Sequence, residues 1–544
     1  MRPAHGMKRI AMHGGAILMV LYVLLRLLLV RGAALDSDEP QHLHVVWAWT
    51  QHGVPYRDAF DNHMPLFHML CATLLSLLGE RADILDCMRL AMMPLAVAAF
   101  VLAWRCGRAL WGTTAASFGL ALLALEPTYQ RMAGQFRADT LWALAWIVAM
   151  AALLSKHDVL VRRPIWRSLL TGLAVGVAMA TSLKTLPLLG SAWVVAAFIW
   201  ICMPKQARPG WRSLVSGLAM GGAAATAAVA VVVAIVAARG GLAAMHEAVL
   251  GHNLLPGFGR DANTHQLMLR CVEAGIVVIV AGVLAWRSIR RSVDPALTAQ
   301  RWFVAGSCGL FAIFLYAAWP LLTSQDYLPV LPLFAPWLGG LLLRGFARLR
   351  IRSLALWIGY ALLTAVALMV RAPWRDRLQE YRGQLATVLA ITTPADMVMD
   401  AKGESIYRRR AFHPVLEMVT QERLRRGLLA DTIVADIHSN EIHVVHPERL
   451  PAADLQALRA DFIPYANGEW VAGRDLGMQA AGPRDVAAMI PGCYRWLRLD
   501  GDRIVQLGPE TRFGPTGVAI DLPQTARYRL MWCPAALHAQ ALQR

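Results

Sequence analysis

Asp36, Asp38 and Glu39 place three carboxylates within four residues, directly after a long apolar run that ends "VLLRLLLVRGAA". Further acids, cations and histidines recur in short polar stretches between apolar runs: "FDNHMPLFH" (60–68), "EPTYQRMAGQFRADT" (126–140), "TSLKTLP" (181–187), "MHEAVLGHNLLPGFGRDANTH" (245–265) and "SQDYLPVLP" (324–332). A carboxylate beside a few fixed cations suits transfer of a sugar from a lipid phosphate. The acceptor hydroxyl loses a proton as it attacks the anomeric carbon, for which a carboxylate serves as general base. The departing phosphodiester becomes a monoester and gains negative charge, which Lys, Arg or His stabilises where it develops. A lipid tail holds the scissile bond at headgroup depth, so the acids belong where the chain leaves the bilayer.

The rest of the chain must bring these stretches together. Of 544 residues, 57% are hydrophobic and 16% charged, and the mean hydropathy is +0.44, which indicates a polytopic α-helical membrane protein. The net charge of +17 sits mostly in short basic clusters between apolar runs, the pattern of cytoplasmic loops, so a nucleic-acid partner is not expected. The expected spans are 10–30, 88–104, 109–125, 140–154, 168–182, 186–203, 214–238, 271–286, 303–320, 327–343 and 354–370, about eleven transmembrane helices. The first follows Arg2, Lys8 and Arg9 and reads as an uncleaved anchor with a cytoplasmic N-terminus, being longer than the apolar core of a signal peptide.

The run 64–79 would invert every later loop if it crossed. Laid along the outer surface, it leaves "RCGR", "KHDVLVRRPIWR", "KQARPGWR", "RSIRRSVDPALTAQR" and "RGFARLRIR" all inside. The polar stretches then all face outward, the first of them in an outer loop of about residues 31–87. Residues 371–544 are richer in charge, Pro and Gly. They carry a helical run, "HPVLEMVTQERLRRGLL", and strand-like segments "TIVADI", "EIHVVH", "RIVQLG" and "ARYRLMWC". They are expected to form one extracytoplasmic soluble α/β domain, with 1–370 as the transmembrane catalytic domain. Cys493 and Cys533 fall in this domain while the other six cysteines lie in or beside spans, so a disulfide between these two is expected. No internal repeat, Walker motif or dinucleotide fingerprint is visible.

The Asp-Glu pair after the first span, "YRDAFDNHMPL", "RAD" (137–139), the "SLK" turn and "DYLPVLP" before a late helix occur in an order that resembles the GT-C glycosyltransferases. The resemblance is nearest to the branch of the protein O-mannosyltransferases and the lipid A aminoarabinose transferase, and spans about residues 10–370. It implies a polyprenyl-phosphate-sugar donor, an acceptor hydroxyl on a glycan, lipid or protein, inversion at the anomeric carbon, and a place in the bacterial cytoplasmic membrane. Carried over, the catalytic acid is Asp38, with Glu39 beside it, and the second outer-loop acid is Asp139. Relatives often hold the lipid phosphate with a Lys before the Pro-Leu of the first-loop motif. This chain has His63, which shifts the phosphate-binding role toward Arg137 and Lys184. A basic residue often precedes the late "YLP"; Asp326 stands there, and no role follows for it.

Simpler roles compete with these. An acidic cluster often marks a solvated loop, Asp139 could cap the helix from Thr140, and Lys184 could snorkel from a helix end. Glu273, near the outer end of a span, reads either as another acid of the pocket or as a structural partner for Arg270. His246, His252 and His265 lack tight metal-ligand spacing. Asp36 and Asp38 could share a divalent cation, but two acids are a weak metal signal, and no metal ligand set is assigned. As alternatives, a lipid or glycan transporter or flippase would carry ionisable groups near mid-bilayer and often repeated halves, and a membrane-anchored scaffold would act through residues 371–544.

Reporter fusions after residues 110, 160, 208, 295 and 348 are expected to read as cytoplasmic, and those after 55, 132, 250 and 400 as extracytoplasmic. An outward signal at 160 would break the shared outer face on which this chemistry depends.

Overall fold

The computed structural model describes residues 5–154, 163–259, 263–349, 353–487, 489–514 and 516–543. The first part is helical: α1 (His5–Gly32), α2 (Asp38–Thr50), α3 (Leu66–Leu78), α4 (Ile84–Trp111), α5 (Thr113–Leu125), α6 (Pro127–Met132), α7 (Ala138–Leu153) and α8 (Pro164–Thr181). It continues with α9 (Thr185–Cys202), α10 (Trp211–Ala238), α11 (Leu242–His246), α12 (Thr264–Arg290), α13 (Pro295–Ala318), α14 (Leu331–Arg348) and α15 (Ser353–Arg371).

Each expected span falls on one helix: α1, α4, α5, α7 to α10, and α12 to α15. By length and composition α4, α8, α9, α10, α12 and α13 are long and apolar enough to cross a membrane, while α5 and α7 are apolar but shorter. Apolar side chains of α12 such as Val272, Ile276 and Ile279 are exposed, as lipid contact requires. The run expected along the outer surface is α3, whose 13 residues rise only about 20 Å, too little for a hydrocarbon core of about 30 Å. Of the expected basic connections, 155–162 and 350–352 lie outside the described residues.

The bundle core is built where large rings meet small residues. Tyr22 stacks on Phe100 with ring centres 4.0 Å apart, and Trp142 and Trp146 are buried against Phe311 and its neighbours. Helices α8 and α10 meet backbone to backbone: a Cβ on Gly172 would stand 2.0 Å from the carbonyl oxygen of Gly221, so only glycine permits that approach. A second core joins α2, α3 and α4 to the C-terminal part through Leu43, Phe67, Phe136, Tyr381 and Tyr407. The two parts are thus packed together on the face that carries α2.

After α16 (Gln379–Ile391) the chain becomes sheet-rich, with β1 (Met397–Val398), β2 (Arg409–Arg410), α17 (Met418–Arg425), α18 (Ile433–Ser439), β3 (Val444–Val445), α19 (Ala452–Leu458) and β4 (Phe462–Pro464). It closes with β5 (Trp470–Gln479), β6 (Gly482–Val486), β7 (Gly492–Asp500), β8 (Arg503–Leu507), β9 (Thr511–Phe513), β10 (Val518–Leu522), β11 (Ala526–Trp532) and α20 (Cys533–Leu542). The main sheet runs β3-β5-β11-β7-β8 with β4 on β5 and β9 on β7, antiparallel throughout. The segments "RIVQLG" and "ARYRLMWC" are β8 and β11, and "EIHVVH" contributes the two residues of β3. The segment "TIVADI" is not a strand but the start of α18. Its two buried residues, Ile433 and Ile437, are four apart, so the helical period buries both on one side, and Thr432 bonds Asp436 across the first turn.

Cys493 at the start of β7 is bonded to Cys533 at the start of α20, closing a loop of 40 residues. Replacing both by serine should lower the thermal stability of the full chain by about 2–4 kcal/mol, read as a fall in the unfolding midpoint that reductant reproduces in the parent protein. An unchanged midpoint under reductant would remove the bridge from the stability of the sheet.

Candidate active site

The polar stretches meet at one end of the bundle, and buried Arg137 is their hub. It occupies an extended residue just before α7, at φ −144° and ψ 153°, so its side chain can turn back over the start of α2. One terminal nitrogen donates to Asp36 at 2.8 Å and to Asp38 at 2.5 Å, and its Nε donates to Asp139 at 3.1 Å. Asp139 therefore serves Arg137 from the first turn of α7, where the helix N-terminus also favours a negative charge, and makes no cap bond of its own. Lys184, in the turn between α8 and α9, stands 4.0 Å from Asp139 and 2.5 Å from Asp326. The "DYLP" acid left without a role by sequence is thus buried as the main partner of Lys184, and its other oxygen accepts from the Thr323 amide at 2.9 Å.

A third cation comes from the C-terminal part. Lys402 Nζ lies 2.5 Å from Asp38 and 3.3 Å from the Ser37 hydroxyl. The turn that carries it is fixed by Asp400, which accepts from the Gly403 and Ser405 amides and from Arg410. Gly403 has φ +88°, and a Cβ there would stand 2.5 Å from that of His44, so both the turn and its close approach to α2 call for glycine. Lys402 sits 364 residues from Asp38, and no local pattern marks it in the sequence.

The four acids differ in access. Asp38 has 29% of its side-chain surface exposed, against 23% for Asp36, 11% for Asp139 and none for Asp326, so it is the acid a substrate can reach most readily. Burial alone would raise the Asp38 pKa; Arg137 and Lys402 outweigh it and hold the carboxyl far below the usual carboxylate range. For Lys184, burial opposes the charge and Asp326 with Asp139 restore it, leaving the ammonium above its ordinary value. The charge that a cation shared by Asp36 and Asp38 would bring is supplied by Arg137.

Glu39 lies apart from these groups. It is fully buried and bonds Arg89 through both oxygens, at 2.7 and 2.5 Å, and accepts the Phe136 amide at 2.8 Å. Its geometry is that of an anchor for the start of α2 rather than of a group facing the cleft. His63 keeps a third of its side chain exposed and bonds Asp61 at 3.0 Å through Nδ1. Asn253 bonds the Asn62 carbonyl at 2.9 Å and His252 bonds Glu417 at 2.9 Å, so His252 and Asn253 pack on the first loop and on the start of α17. Glu273 bonds the Tyr316 hydroxyl at 2.8 Å on the exposed surface, away from the cluster. Beside the first loop, a cavity of about 530 Å³ is lined by Trp47, Trp49, Tyr56, Asp58, Asp61 and Arg410.

No family model and no curated protein matches the sequence. The fold is similar to that of ArnT from Cupriavidus metallidurans bound to undecaprenyl phosphate, with a TM-score of 0.54 at 14% identity over 86% of this chain and 98% of that one. The apo form of the same protein gives 0.54 at 15% identity over 85% and 98%. Archaeal oligosaccharyltransferase AglB from Archaeoglobus fulgidus, in complex with an inhibitory peptide and a dolichol-phosphate, gives 0.45 at 11% over 91% and 74%. The likeness to ArnT is one of fold, and its coverage runs through the helical bundle and into the sheet-rich C-terminal part.

Arg137→Ala strands three carboxylates that share one guanidinium and should cost about 3–5 kcal/mol of stability, as removal of one partner from a buried ion pair does. Arg137→Lys keeps the charge with fewer donors and should cost less. Thermal midpoints checked in detergent would show this, and equal values for Arg137→Ala and the parent would take Arg137 out of its place as hub.

Proposed function

We propose that the protein is an inverting glycosyltransferase that moves a sugar from a polyprenyl-phosphate donor to an acceptor hydroxyl at the outer face of the bacterial cytoplasmic membrane. The observation that carries this reading is the cluster of Arg137, Lys184 and Lys402 against Asp36, Asp38, Asp139 and Asp326, at one end of a bundle whose fold is shared with a protein seen with undecaprenyl phosphate. Arg137, Lys184, Lys402 and His63 bind the donor phosphate. Four acids face three permanent cations, so an arriving phosphate competes with the carboxylates for them. As charge builds on the leaving oxygen, Arg137 and Lys402 shift toward it and loosen their hold on Asp38. The Asp38 carboxylate then orients the acceptor hydroxyl and receives its proton.

An apolar cleft of about 570 Å³ between α9, α12, α13 and α14, lined by Phe198, Ile276, Trp302, Phe334 and Trp337, suits the isoprenoid tail. Asp326, the partner of Lys184, lies just before α14, which joins this cleft to the charged cluster. The aromatic and polar lining of the cavity beside Trp47 and Trp49 suits a carbohydrate acceptor. Glu39 acts through α2 as a positioning residue, and residues 371–544 form the second domain.

The test uses native membranes with and without the protein, profiled by mass spectrometry for sugar-modified lipids, glycans and proteins, followed by transfer from the matching polyprenyl-phosphate sugar. Asp38→Asn should abolish turnover while undecaprenyl phosphate still binds. Lys184→Ala and Lys402→Ala should each lose about 2–4 kcal/mol of transition-state stabilisation, and His63→Lys should keep or raise activity. With one carboxylate at the reacting carbon, a single displacement inverts it, so a β-linked donor should give an α-linked product by NMR of the anomeric proton. A retained configuration would exclude the single displacement, and full activity in Asp38→Asn would exclude the mechanism.

A further inference from the structure

Asp38 explains how a hydroxyl is oriented but not where its proton ends. A carboxylate held so acidic by two cations accepts a proton only in passing. A second set of polar groups lies directly behind it. His42 is four residues after Asp38 on α2, on the same face of the helix, where Cβ atoms stand about 5–6 Å apart. Its Nδ1 is 2.8 Å from Nε2 of His68, and Nδ1 of His68 is 3.0 Å from Asp61. All three side chains are buried; Nε2 of His42 has no hydrogen-bond partner among the described residues, and Nδ1 of His68 and the Asp61 oxygen face each other at ion-pair distance without an aligned hydrogen bond.

The order of these contacts dictates the tautomers. Ionised Asp61 can only accept, so His68 carries its proton on Nδ1. With that proton placed, the Nε2 lone pair of His68 faces His42, which donates to it from Nδ1. That leaves the Nε2 lone pair of His42 as the free end of the chain, a base backed by a second imidazole and a carboxylate. We propose that Asp61, His68 and His42 form a proton relay that takes up the acceptor proton from Asp38; this rests on the glycosyltransferase reading above.

The step balances. The bond from the anomeric carbon to the donor phosphate oxygen breaks, and its electron pair stays on the phosphate. The acceptor oxygen forms the new bond to that carbon. Its proton passes through Asp38 to Nε2 of His42, the Nδ1 proton of His42 moves to Nε2 of His68, and the resulting imidazolium rests against Asp61. The products are the glycoside, a polyprenyl phosphate carrying one more negative charge, and one proton on the relay.

The groups facing His42 are Asp38 on its own helix, Arg137 before α7, His63 and Asp61 on the first loop, and His68 on α3. Burial lowers the His42 pKa first, and His63, His68 and Arg137 add to this against the pull of Asp38. His42 is therefore neutral at pH 7 and ready to accept. For Asp61, burial is outweighed by His68 and His63, which keep the carboxyl below its ordinary value and ionised. A relay with these settings works at neutral pH and fails on the acid side, where it is already loaded.

Two measurements test it. Nitrogen NMR of the full chain labelled at histidine, with the His42 signals assigned by their loss in His42→Gln, should show a neutral ring protonated at Nδ1 at pH 7. A ring protonated at Nε2, or a cation, overturns the relay. Transfer in native membrane vesicles is then followed with a panel of labelled undecaprenyl-phosphate hexoses and pentoses. His42→Gln should lower kcat about 100-fold or more with the donor KM within twofold, and should remove the acid limb of the parent's pH profile. Asp61→Asn is the second variant and should lower kcat in the same direction. Undecaprenyl phosphate binding serves as the check that both variants are folded. Unchanged kcat and an unchanged acid limb in a folded His42→Gln would overturn the relay while leaving the transferase reading in place. If the parent protein transfers no sugar from any donor, that reading falls and the relay falls with it.

Discussion

The pair between Glu39 and Arg89 sets the frame on which the reactive groups hang. Arg89 on α4 bonds both oxygens of Glu39 and also donates to the carbonyls of Val30, Ala33 and Ala34, where α1 ends. Glu39 in turn accepts the amide of Phe136, one residue before Arg137. One ion pair thus ties together the end of α1, the start of α2, the wall of α4 and the loop that delivers the hub guanidinium. Charges this deep persist only when every donor and acceptor is used, and here they are. Asp36 and Asp38 lie on either side of Ser37, one turn from this clamp. They are held opposite Arg137 because the backbone on both sides is pinned to the same carboxylate.

With that frame in place, the cluster behaves as a set of competing claims on three cations. Asp38 is the acid with the most open surface and the one gripped by cations from two different parts of the molecule, while Asp326 is closed off and serves Lys184. An acid of this kind is a hydrogen-bond acceptor in the resting state. Under the proposed mechanism it becomes a base only when Arg137 and Lys402 shift toward the phosphate, which links proton removal to phosphate departure through two side chains. The histidines behind α2 extend the same logic, since their carboxylate and rings are arranged in series from Asp61 to the unpaired nitrogen of His42.

Much of this architecture is legible in the sequence. Apolar runs of sufficient length mark helices whatever their neighbours, and basic loops mark their ends, so the eleven expected spans find their helices and α3 its short length. Asp36, Asp38, Asp139, Arg137 and Lys184 are legible because they stand at helix ends in a recurring order. Glu39 was grouped with them by adjacency, yet one step along a helix turns a side chain by about 100°, enough to send it into the core toward Arg89. Lys402 and His68 escape for the opposite reason. Their roles depend on long-range packing between α2, α3 and the C-terminal part, which leaves no local spacing to read. "TIVADI" shows the same limit at small scale, where a short apolar run fits either period and packing decides.

The place of Lys402 also gives the molecule an order of assembly. The cation that completes the surroundings of Asp38 is carried on a turn held by Asp400 and Arg410, beyond the last helix of the bundle, and a glycine lets that turn close on the His44 side chain of α2. The helical part can therefore insert and pack while its reactive centre still lacks a member. The surroundings of Asp38 are therefore complete only after the end of the chain has been made, folded and seated on α2.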